Sequence, residues 1–199
     1  MLDGLLRDLK ALWLERRRAV DARFRRSLPL ADYVVDRWEK ARELGFGEGA
    51  SVYDSVLVLG DVRVGANTWI GPFVVLDGSG GLTIGSNCSL SAGVQIYSHD
   101  TVDWALSGGQ AQPSRAPTSI GDNCYIGPQT VIAKGVHIGN GCAIGANSLV
   151  LHDIPAGSKA FGSPCRVVGT ATRPDVSLAP KHPVWADPRS QNFAKDTFK

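Results

Sequence analysis

The residue best suited to moving a proton in this chain is His99, within the stretch Tyr97-Ser98-His99-Asp100-Thr101. A free imidazole titrates near neutrality, so it can accept a proton and hand it back within one reaction cycle. To do that it needs one ring nitrogen fixed by an acceptor, either a loop carbonyl or a carboxylate. Asp100 supplies one such carboxylate, and its plainer role is a turn-stabilising contact to nearby backbone. The cysteines offer no competing chemistry. Cys88, Cys124 and Cys142 recur at one slot of the repeat described below, Cys165 stands apart, and none has metal-ligand spacing. Buried reduced thiols are expected, and no metal.

His99 sits where a regular scaffold is interrupted. Ile120, Ile126, Ile132, Ile138, Ile144 and Val150 recur every six residues, and the same rhythm runs through Phe46, Val52, Val58, Val64, Ile70 and Leu76. It resumes at Ile84, Leu90 and Ile96 after two extra residues near Gly78-Ser79-Gly80-Gly81, which read as a bulged corner. The residue three after each aliphatic tolerates a left-handed backbone, as at Asn123, Gly135, Gly141 and Asn147, with Gln129 less at ease there. The residue four after is compact, as at Cys124, Thr130, Val136, Cys142 and Ser148. An amphipathic helix cannot hold this period, because its geometry would scatter the aliphatics over several faces. Three hexads make one triangular turn, so the expected fold is mainly β, a parallel β-helix of about five coils. Between Ile96 and Ile120 the slots fall on Gly108 and Ser114, so residues 97–119 form a loop outside the prism, a favoured place for function.

Composition bounds the rest. The 199 residues suffice for one main domain, and a net charge of +2 without a basic stripe argues against nucleic acid. No stretch is apolar enough to span a bilayer, and Asp3, Arg7, Asp8 and Lys10 interrupt the first apolar run, so a cytoplasmic address is expected. Residues 1–45 have helical texture. Leu2, Leu5, Leu6, Leu9, Leu12 and Trp13 mark a first helix, and a second runs from Ala31 to Leu44, ended by Gly45. The first also carries Arg16, Arg17, Arg18, Arg23, Arg25 and Arg26, which suits a solvated face or oligomer contact, or a weak peripheral contact with an anionic membrane. Residues 46–169 form the β-helical domain, and 170–199 a Pro- and charge-rich tail.

The stretch from Gly65 through Gly169 resembles the bacterial hexapeptide-repeat acyltransferases, especially sugar O-acetyltransferases of surface polysaccharides and the galactoside and maltose acetyltransferase group. The resemblance is carried by Thr68-Trp69-Ile70-Gly71-Pro72, the His99 stretch, Ile120-Gly121-Asp122-Asn123-Cys124-Tyr125-Ile126-Gly127, Ile144-Gly145-Ala146-Asn147-Ser148, Asp153-Ile154-Pro155 and Gly162-Ser163-Pro164-Cys165-Arg166. It implies a left-handed β-helix, a homotrimer with sites between neighbouring subunits, acetyl-CoA as donor, and His99 as the general base acting on a hydroxyl or amine of the acceptor. By resemblance Pro128 and Ala146 line the pantetheine arm. Leu151 and His152 stand where relatives present a Thr-Lys pair to the CoA, and Arg166 matches a basic residue near its phosphates. Tyr125 falls beside the acyl site or packs a corner. Asp100 would face the acceptor or hold the turn, and Trp104 would offer a flat face to a sugar or pack the loop. Gly71 replaces an acceptor-binding Asn of galactoside-type enzymes, which argues against a galactoside acceptor.

The resemblance leaves a hydroxyl of a sugar as the leading acceptor, the amine of a nucleotide-linked amino sugar as its alternative, and a non-catalytic binding solenoid as a third reading. A zinc-dependent carbonic anhydrase shares the solenoid but needs three converging histidines, and His99, His137, His152 and His182 lack that spacing. A nucleotidyltransferase would need an α/β domain that the short helical segment cannot supply.

Overall fold

In the regular coils strand pairing repeats every eighteen residues. Ser51 lies beside Trp69, Tyr125 beside Ala143, Val131 beside Leu149 and Ser119 beside His137, all in parallel. Each turn has three short sides, and the computed structural model, which describes residues 2–172, is a left-handed parallel β-helix of about six turns. The hexads alone give about five; the sixth is begun by Ser158–Phe161, which pairs with Ala143–Ile144 beyond the last regular hexad. Coils are numbered here from Ser51, Trp69, Ser89, Tyr125, Ala143 and Ser158, the first strands of face one. Face two holds Gln95–Ile96, Val131–Ile132 and Leu149–Val150. Face three holds Thr118–Ile120 and His137–Ile138, bridged to Ile154. Leu57–Val64 and Val75–Ile84 each run along face two, round the corner and on to face three.

The aliphatic of each hexad points inward and stacks on its counterparts. Ile70, Leu76, Ile84, Leu90, Ile96, Ile120, Ile126, Ile132 and Ile144 are all fully buried, each contributing about 1.5–3 kcal/mol by leaving water. The corners turn through Asn67, Asn87, Asn123, Gln129 and Asn147 at φ 53 to 60°, as the spacing predicts. The compact inward residues do more than fill space. Thr68 Oγ1 donates to Gly85 O (2.8 Å), and Cys88, Cys124 and Cys142 repeat that bond through their thiols to Gly121, Gly139 and Pro155 carbonyls at 3.1 to 3.2 Å. All four cysteines are free and buried, Cys165 included, which packs under the last turn instead of standing apart. Burial pushes the Cys142 and Cys165 thiols up.

The N-terminal segment forms three helices, α1 (Leu2–Phe24), α2 (Leu30–Val34) and α3 (Arg37–Glu43). The second helix expected from sequence is broken at Val35-Asp36, where Asp36 Oδ1 accepts from Trp38 and Glu39 amides and starts α3 afresh. Ala41 and Phe46 then plug the base of the prism. No helix among the described residues is long and apolar enough to cross a membrane. Of the expected tail, residues 173–199, with His182, lie outside the described residues.

Candidate active site

The loop leaves coil three after Ile96 and returns at Thr118. Its base is a small antiparallel ribbon in which His99 pairs with Arg115 and Asp100 with Ser114, and a short helix α4 (Val102–Leu106) caps its outer end. Thr118 Oγ1 donates to Tyr97 O (2.7 Å) and Ala116 N to Ser98 O (2.9 Å), closing the neck of the loop.

His99 is oriented by Asp77, a residue of coil two. Its Nδ1 lies 2.5 Å from Asp77 Oδ2, and Asp77 is wholly buried while the imidazole is one-third exposed. The same carboxylate accepts from Ser79 N at 3.0 Å and Ser98 N at 3.1 Å, and the Ser98 hydroxyl donates back to Asp77 O. Burial alone would raise the Asp77 carboxyl, but the bonds from Ser79, His99 and Ser98 outweigh it and hold it at about 2. Asp77 is therefore an anion that only accepts. Nδ1 must carry the proton toward it, leaving Nε2 with a lone pair able to accept a proton. The bulge after Asp77 makes this possible. A side chain at Gly80 would run into Ser98 O, so the backbone there approaches the loop as only glycine allows.

Asp100 does not orient His99. It points to the opposite face of the ribbon, where Oδ2 pairs with Lys134 Nζ at 2.8 Å and Oδ1 accepts from Val102 N at 3.3 Å. Trp104 is half-exposed on α4, its carbonyl accepting from Gly109 N. Pro128 and Ala146 stack at the corner between faces one and two, where Asn147 N donates to Pro128 O. Leu151 and His152 are exposed just past the last strand of face two, at the corner column from which the loop springs. Tyr125 is half-exposed on face one. Arg166 is exposed in Arg166–Thr170, the antiparallel strand beyond face one, with Nη1 on its own neighbour's Cys165 O. A single protomer thus gathers His99, Asp77 and Asp100, and sets Pro128 and Ala146 one full face away.

Three residues here escape a reading of the sequence. Asp77 occupies a slot that most hexads fill with a small residue, and the two-residue excess follows it directly, which was the available signal. Lys134 carries no such mark. Arg115 stands opposite His99 in register, so the two side chains leave the same face of the ribbon. Among the described residues no group of three His, Cys, Asp or Glu is arranged to hold a metal.

The six-residue repeats of these coils are matched by known proteins. The model of the bacterial transferase hexapeptide (six repeats) matches residues 117–152, and that of the hexapeptide repeat of succinyl-transferase matches residues 61–98. The chain carries the hexapeptide repeats of these transferases. It is 39% identical over 67 residues to 2,3,4,5-tetrahydropyridine-2,6-dicarboxylate N-acetyltransferase of Staphylococcus aureus, covering 34% of this chain and 28% of that protein. It spans less than two-thirds of the length of the curated relatives it matches, at 28%, 60% and 34% for three of them. Among solved structures it is similar to a hexapeptide-repeat acetyltransferase of Vibrio cholerae in complex with acetyl-CoA, with 25% identity, TM-score 0.62, and 83% and 90% of the two chains covered. The fold is also that of AntD, an N-acyltransferase of Bacillus cereus, at 23% identity and TM-score 0.59 over 64% and 73% of the chains.

Proposed function

We propose that this protein transfers an acetyl group from acetyl-CoA to a hydroxyl of a sugar, one destined for a surface glycan, with His99 as general base. The observation that carries the reading is the pair between His99 Nδ1 and the buried, ionised Asp77. Acetyl-CoA supplies the thioester that is attacked. His99 Nε2 takes the proton of the acceptor hydroxyl as its oxygen bonds to the acyl carbon, and returns that proton to the departing sulfur. Asp77 holds the tautomer and stabilises the imidazolium between the two transfers.

The residues for the donor fit CoA. Pro128 and Ala146 leave an open, small-residue corner, and Arg166 presents an exposed guanidinium suited to phosphates. Leu151 and His152 stand at the corner beside the His99 loop, and Tyr125 lies toward the acyl site. Because Pro128 and Ala146 lie a face away from His99, the complete site is formed between two copies, with the protein a homotrimer. Leu57, Leu59, Phe73 and Leu151, exposed on or beside face two, support such burial. Trp104 and Asp100 flank the acceptor side. The reduced thiols suit a cytoplasmic address.

Arg115 supports a second reading. An arginine paired in register with His99 suits an acceptor bearing phosphate, and with it N-acetylation of a nucleotide-linked amino sugar. Purified protein given acetyl-CoA and a panel of sugars, glycans and amino-sugar nucleotides is expected to release CoA and add a single acetyl group, seen by mass spectrometry. Hydroxyl or amine modification decides between the readings. No CoA release with any acceptor would leave a non-catalytic binding solenoid.

A further inference from the structure

The ribbon at the base of the loop is tied to the prism on both faces, each time to a different coil. His99 faces Asp77 of coil two. On the other face Lys134, from the corner of coil four, lies astride both strands, its Nζ 2.5 Å from Ser114 Oγ and 2.8 Å from Asp100 Oδ2. Asp100 and Ser114 are register partners, so one ammonium crosslinks the ribbon across its full width. Neighbours along a strand point to opposite faces. The Lys134 contact with Asp100 and the Asp77 contact with His99 therefore tether the two faces of the ribbon to the prism, and together they fix its rotation. Hydrogen bonding to Lys134 holds the Asp100 carboxyl below its usual range, as expected of an engaged ion.

We infer that Lys134 is a positioning residue for His99. It acts through Asp100 and Ser114 to hold the imidazole on Asp77, and it touches no reacting atom. This rests on His99 being the general base. Lys134→Met keeps the stem and removes the charge. It is expected to lower kcat by roughly 10- to 100-fold, the cost of a base displaced by about an ångström, while KM for acetyl-CoA stays unchanged. Lys134→Arg, able to reach both oxygens, recovers most of the loss. Asp100→Asn should mimic Lys134→Met, and the double variant should be no worse than either, because both act through one contact.

A second readout does not depend on turnover. The Nδ1 proton held by Asp77 gives a far-downfield imidazole resonance, identified by its loss in Asp77→Asn. It should be sharp in the wild type and Lys134→Arg, and lost to exchange in Lys134→Met and Asp100→Asn. Lys134→Met with wild-type kcat and a sharp resonance overturns the inference, and should that variant fail to fold, the same result in Asp100→Asn overturns it. If instead His99→Ala kept wild-type kcat, the base itself would be wrong, and the resonance alone would judge the role of Lys134.

Discussion

The coils and the loop are stabilised by opposite means. Along the inner coils the buried aliphatics repeat a neighbour above and below, as Ile126 does between Leu90 and Ile144, so the same contact is made many times over. In the loop α4 buries nothing, the ribbon strands are two residues long, and the attachment rests on polar contacts, chiefly His99 to Asp77 and Asp100 to Lys134. Redundant apolar burial gives a scaffold that tolerates local damage. A few charged contacts give a site whose geometry fails when one is removed.

His99→Ala is expected to break the contrast most sharply. It should lower kcat by roughly 10²–10⁴ with only a modest fall in melting temperature, since the imidazole lies outside the stacked core and Asp77 keeps its bonds from Ser79 and Ser98. His99→Gln should not restore the rate, because an amide cannot take up the proton. Steady-state kinetics beside thermal unfolding checks both; a near wild-type kcat with saturating acceptor would remove the base.

Ile126→Ala is the converse. Truncating a fully buried rung should cost about 2–5 kcal/mol in denaturant unfolding, while the surviving folded protein keeps its kcat. A loss of kcat at full stability would mean that coil packing and site geometry are not separable.

Acid unfolding probes the junction of the two regions. The Asp77 carboxyl is depressed to about 2, so its ion stabilises the fold fully above the ordinary carboxylate range and that stability is lost as pH falls from about 4 toward 2. The contribution is about 2 kcal/mol. Asp77→Asn should flatten the stability curve in that window; an unchanged slope would mean the carboxylate is not held as described.

The smallest effect is expected from Arg166→Ala. An exposed phosphate contact is worth about 1 kcal/mol, so KM for acetyl-CoA should rise about fivefold with kcat nearly constant. An unchanged KM would take Arg166 out of the site.

The two regions were also unequally legible in the sequence. Six-residue spacing specifies the coils because each strand, corner and inward residue is set by neighbours a few positions away, and Asn123, Gln129 and Asn147 turn where the period puts them. The loop was visible only as a gap in that period. Its orienting contacts join residues 22 and 20 positions apart, His99 with Asp77 and Lys134 with Ser114, across an interruption that hides which coils end up adjacent. Asp100 was the natural candidate to orient His99 because it is next in the chain, yet adjacency along a strand is what turns it away. The break at Val35 escaped notice for a local reason: Asp36 reads as an ordinary polar helix residue until its cap is seen.

The loop's length has a consequence for how such a site can arise. Tyr125 stacks on Ser89, thirty-six residues earlier, where other coils return after sixteen to twenty. In the language of crystals the excursion is an interstitial and not a dislocation: a coil's worth of chain is expelled sideways, and the lattice of strands above and below closes in phase. The constraint on such an insertion is the position of its two ends, so length and sequence within it can drift without disturbing the stack. A scaffold of this kind can exchange one chemistry for another at a single corner while every other rung stays as it was.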